Sequence, residues 1–63
     1  MDLPEIKEYW NKKYPGIEVR LYSNEDGTKF FGKMSGGKDS VNLLADSIGQ
    51  LISQGEVFLR KLN

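Results

Sequence analysis

A chain of 63 residues with nine basic and nine acidic side chains, no Cys and no His is one domain at most. It holds no disulfide and lacks the soft ligands that zinc or copper prefers. Its zero net charge argues against a dedicated phosphate-backbone binder, which carries a basic surplus, and equally against an acidic DNA mimic.

The commonest general base and the strongest nucleophile are both missing, and spacing pairs no carboxylates, Lys or Tyr convincingly. A non-catalytic protein with no metal and no cofactor is therefore expected. The opening residues, Met1-Asp2-Leu3-Pro4-Glu5, are not a signal sequence, and no apolar run approaches transmembrane length. An intracellular, cytoplasmic protein with no membrane partner is expected. So small a core is marginal on its own, which makes homo-oligomerisation an expectation too.

The first element reads as a short helix. Asp2 caps it, Pro4 fits the first turn, and Glu5 completes a D-x-x-E capping pattern. Leu3, Ile6 and Trp10 recur on one face, with Tyr9 and Tyr14 at its edge, and Tyr14-Pro15-Gly16 stops it. From Ile17 to Ser23 the chain alternates as a half-buried strand. Asp26-Gly27 is a strong hairpin signal, and Thr28–Met34 returns as a second strand.

A two-residue loop pairs Leu21 with Gly32; a four-residue loop pairs Leu21 with Phe30. Both registers keep the same faces, because both preserve parity. Ile17, Val19, Leu21, Phe30 and Met34 share one face. Glu18, Arg20, Tyr22, Lys29, Phe31 and Lys33 share the other.

After the break at Ser35-Gly36-Gly37-Lys38, Asp39 or Ser40 caps a second helix. Val41, Leu44, Ala45, Ile48, Leu51 and Ile52 form its apolar stripe, and Gly55 ends it. Its outward face, which includes Leu43, Asp46 and Gln50, is nearly uncharged and reads as a contact surface. The tail, residues 56–62, is expected to be a third strand, because Gly55 interrupts and Val57-Phe58-Leu59 favours β structure. The expected fold is α+β in the order α-β-β-α-β, as a single small domain over 1–63.

Ser35-Gly36-Gly37-Lys38-Asp39-Ser40 resembles the phosphate loop of the ATP pyrophosphatases. That resemblance implies a parallel strand followed by a helix whose N-terminal amides hold phosphate. It makes Ser35, Gly36, Gly37, Lys38 and Ser40 candidate anion-binding residues. Against it, Lys29–Met34 alternates with Lys, whereas a central parallel strand is almost continuously apolar. Two glycines turning a strand into a capped helix explain the same residues.

The remaining candidates lie on the sheet face turned away from the second helix. Tyr22, Phe31 and Phe58 are expected there. Either the first helix covers them, with Leu3, Ile6 and Trp10 as a lid, or a second copy or a partner protein does, since aromatics of this kind anchor interfaces. The candidate protein interface is Tyr22, Phe31 and Phe58, then Trp10 and Leu43. Arg20, Lys29, Lys33 and Arg60 flank the same aromatics, as in a single-strand nucleic-acid platform.

The stretches Val19–Tyr22, Glu25-Asp26-Gly27, Phe30-Phe31 and Val57–Leu62 resemble the phage-encoded uracil-DNA glycosylase inhibitors. Those are tiny Cys-free dimers that act by binding another protein. The leading expectation is a homodimeric protein-interaction domain that regulates or inhibits a partner. The alternatives are a nucleic-acid-binding module and a phosphate or nucleotide site at the glycine loop.

Overall fold

The computed structural model describes residues 2–62. Five elements follow one another: α1 (Leu3–Lys13), β1 (Glu18–Ser23), β2 (Phe30–Gly36), β3 (Asp39–Ala45) and α2 (Ile48–Lys61). The three strands form an antiparallel meander in the order β1-β2-β3. Both helices supply core residues. Ile6 and Trp10 of α1 and Leu51, Phe58 and Leu59 of α2 are buried with Val19, Met34, Leu43 and Ala45 of the sheet.

The first hairpin follows the sequence closely. The Asp2 carboxylate accepts from the Glu5 N–H at 3.0 Å, and the Glu5 carboxylate accepts from the Asp2 N–H at 3.3 Å. This is the reciprocal capping box that satisfies two free N-terminal donors. Leu21 pairs with Gly32 and Val19 with Met34, so both face assignments hold. The turn is wider than Asp26-Gly27 alone. Asn24 closes it, its Oδ1 accepting from the Thr28 and Lys29 N–H groups, as Asn side chains do in turns.

The second half departs from the expected order. Residues 39–45 form a strand, not the start of a helix, and residues 56–61 continue a helix, not a strand. The fold is α-β-β-β-α, and the expected α-β-β-α-β order is wrong. The stretch from Val41 to Ala45 fits two periods at once. Val41, Leu44, Ala45 and Ile48 fit a helix, while Val41, Leu43 and Ala45 alternate as a strand.

The turn decides between them. Gly37 has φ +60°, and Gly37-Lys38 forms a two-residue loop between the paired Gly36 and Asp39. Glycine in the left-handed region at the first central position is the signature of a type II′ hairpin turn, whose twist suits antiparallel strands. The helix starts later, where the Ser47 Oγ accepts from the Gln50 N–H at 3.1 Å. From there Ile48, Leu51, Ile52, Gly55, Phe58, Leu59 and Leu62 recur at helical spacing, so Phe58 and Leu59 belong to its buried stripe. None of the helices is long and apolar enough to cross a membrane among the described residues.

Candidate interaction surface

The strand register builds the open face of the sheet row by row. Tyr22, Phe31 and Leu44 are direct neighbours across β1, β2 and β3. The next row is Arg20, Lys33 and Asn42, and the one beyond it is Glu18, Ser35 and Ser40. Buried Val19, Met34, Leu43 and Ala45 occupy the alternate positions on the opposite side, where successive side chains must point by the pleat.

The first row is apolar and in water. Tyr22 is 54% exposed, Phe31 40% and Leu44 64%. Cross-strand neighbours on one face lie within contact distance of each other, so the three side chains form one continuous strip. The Lys29–Asp46 ion pair is the described salt bridge that links the β2 side of this hairpin end to the residue following β3. It is solvent-exposed on both sides and contributes little to stability.

The structure brings together some expected site residues and separates others. Tyr22 and Phe31 stand side by side, as expected. Phe58 does not join them; it is buried on α2, because the tail is helical. Trp10 is wholly buried and serves the core, not a lid over the aromatic face. Leu43 is buried in β3, because β3 is a strand and odd positions face inward. Leu44, assigned by sequence to a helical stripe, is the exposed third member of the row. The alternation from Asp39 to Ala45 is the signal that would have found it.

Of the cations, Arg20 and Lys33 are cross-strand neighbours beside the aromatics. Lys29 is engaged by Asp46, and Arg60 lies in the last turn of α2, outside the sheet.

The glycine loop is a hairpin turn, with Ser35, Gly36 and Ser40 in strands. The helix N-terminus that a phosphate loop requires does not follow it. Its Gly37 and Lys38 instead line a depression of about 510 Å³ together with Lys13 and Lys61. Lys13 and Lys61 lie in the last turns of α1 and α2, where cations complement the negative end of the helix dipole. The Lys13 pKa is raised above the ordinary lysine value, chiefly because its Nζ donates to the Tyr9 hydroxyl and also because Tyr14 is near.

Compared with protein-family models, with curated proteins and with solved structures, the chain matches none.

Proposed function

We propose that this chain is a non-catalytic protein-interaction domain that pairs with a second copy through its open sheet face and regulates a partner protein by occluding part of its surface. The observation that carries this reading is the continuous strip of Tyr22, Phe31 and Leu44 across all three strands. Apolar neighbours gathered in water are the usual mark of a contact site, and aromatic anchors supply most of an interface's energy.

The face also suits a copy of itself. A two-fold axis along β2 sets each Phe31 on its counterpart and each Tyr22 on a Leu44, the self-complementary arrangement of a symmetric dimer. Three strands about 4.8 Å apart and about 20 Å long present roughly 280 Å² in projection. Twice that area, about 560 Å², falls short of the roughly 1,000 Å² of a stable interface, so the pairing is weak and reversible and forms at high protein concentration. Isotope-filtered NMR on mixed labelled and unlabelled copies tests the contact. The reading expects intermolecular signals between the Tyr22 ring and Leu44 methyls, and their absence at millimolar protein would count against it.

A second reading rests on the adjacency of Arg20 and Lys33 to Tyr22 and Phe31. Exposed aromatics on neighbouring strands with flanking cations describe a platform on which bases stack. It expects a labelled oligothymidine to bind, with affinity that falls steeply as salt rises.

A further inference from the structure

The two edges of the sheet are treated differently. At β3 the side chain of Gln54 takes both backbone groups of Leu44. The Leu44 N–H donates to Gln54 Oε1 at 3.1 Å, and Gln54 Nε2 donates to the Leu44 carbonyl at 2.7 Å. Two residues further on, the Asp46 N–H donates to Gln50 Oε1 at 2.8 Å. Two amides of α2 thus make the bonds that a docking strand would make, and an edge covered this way is protected from pairing.

β1 is the other edge. Along an antiparallel ladder, residues bonded to the neighbouring strand alternate with residues whose groups point away. The Asn24 N–H to Lys29 carbonyl bond, 3.1 Å, sets the phase. Glu18, Arg20 and Tyr22 bond to β2, while Val19, Leu21 and Ser23 turn their N–H and C=O groups away from it; Val19 is buried, which leaves Leu21 and Ser23 as the open positions. No α1 side chain caps them as Gln54 caps Leu44. The bonds of Trp10 and Lys13 go instead to Glu56 and Tyr9.

A groove runs beside this edge, between β1 and α1. It consists of two depressions of about 290 Å³ each that share Lys7 and Arg20. Neither of these cations is in an ion pair; the salt bridges among the described residues are Lys12–Glu8 and Lys29–Asp46. Lys33 stands across from Arg20, and Glu18 is the one acid lining the groove.

We propose that β1 accepts an extended acidic segment of another protein as a fourth strand. Main-chain bonds to Leu21 and Ser23 supply affinity, and alternate side chains supply specificity, as in strand addition generally. A carboxylate on the helix side of the added strand meets Lys7. One on the open-face side meets Arg20, and an apolar residue beside it covers Tyr22. A second copy of this chain is the poorer occupant, because it would bring its own Lys7 and Arg20 to the same groove.

The β1 edge shares only Tyr22 with the Tyr22–Phe31–Leu44 strip, and its open main-chain groups belong to Leu21 and Ser23, so the two proposals fail separately. The test is a titration of the ¹⁵N-labelled protein with a capped Thr-Glu-Glu-Val-Val-Thr hexapeptide, whose two Glu fall on opposite sides of the added strand, and with the same peptide carrying Lys for Glu. The Glu peptide should move the amides of Leu21 and Ser23 and slow their hydrogen exchange. Lys7→Glu or Arg20→Glu should weaken it by about tenfold, while Leu44→Asp, on the far strand β3, should leave it unchanged. The proposal is overturned by equal binding of the Lys peptide, by shifts at Ser40, Asn42 and Leu44 instead, or by no shift at millimolar peptide. Movement of the β1 amides on diluting the protein alone would assign the edge to a second copy and would also overturn it.

Discussion

The indole ring of Trp10 fills the space that a side chain at Gly55 would need. A Cβ at Gly55 would lie 2.3 Å from Trp10 Cη2 and 2.6 Å from Cζ2. The ring is wholly buried, and its Nε1 donates to Glu56 Oε1 at 3.4 Å. The first helix therefore closes the core against the bare backbone of the last. Gly55 stays inside the helix despite its propensity cost because nothing larger fits there.

Gly55→Ala is expected to destabilise the fold by up to about 2 kcal/mol: overpacking costs about 1–3 kcal/mol, and the roughly 1 kcal/mol that alanine gains over glycine in a helix offsets part of it. Urea unfolding measures it, and the loss should shrink in a Trp10→Phe background, because contacting residues do not add independently. Gly49→Ala is the control. A Cβ there meets only the Ser47 Oγ, at 3.9 Å, so stability should rise by a few tenths of a kcal/mol to about 1 kcal/mol.

The Gln54 side chain predicts a local effect at the β3 edge. Gln54→Ala removes both of its bonds to Leu44 and is expected to cost about 1–2 kcal/mol. Hydrogen exchange at the Leu44 amide should accelerate more than at its neighbours. Unchanged exchange at Leu44 would mean that the amide does not close this edge.

How far the sequence carries can be judged from these same residues. The capping box at Asp2 and Glu5, the two faces of β1 and β2, and the placement of Tyr22 and Phe31 together on one face follow from local chemistry and period. Trp10 was legible as helical and apolar, but whether it faced the core or covered the aromatic face depended on where the helices dock. The second half failed for two physical reasons. Residues 41–45 satisfy helical and strand spacing together, so only the turn at Gly37-Lys38 distinguishes them. Gly55 looks like a helix stop, and only the ring of Trp10, distant in sequence, shows why a glycine is required mid-helix. Leu43 and Leu44 exchanged places, and Phe58 left the surface, as direct consequences.

The position of Lys33 separates the two functional readings by salt. A two-fold along β2 brings the Lys33 of each copy near its counterpart, and salt screens that repulsion. Dimerisation should therefore strengthen with salt, and Lys33→Gln should strengthen it at low salt. Binding to a nucleic-acid backbone changes in the opposite direction, weakening as salt rises. Sedimentation of the protein alone and fluorescence anisotropy with labelled oligothymidine, each at two salt concentrations, distinguish the signs.

The central claim is that the Tyr22–Phe31–Leu44 strip is a contact surface between copies. Its most direct test is sedimentation velocity over a wide concentration range, for the wild-type chain and for Phe31→Asp. Because Phe31 stands on the exposed face, the variant should keep its folded circular-dichroism spectrum. The account predicts a wild-type protein that moves from monomer to dimer with concentration, and a variant that stays monomeric throughout. A wild-type chain that remains monomeric up to millimolar concentration, or a variant that dimerises equally well, would contradict it.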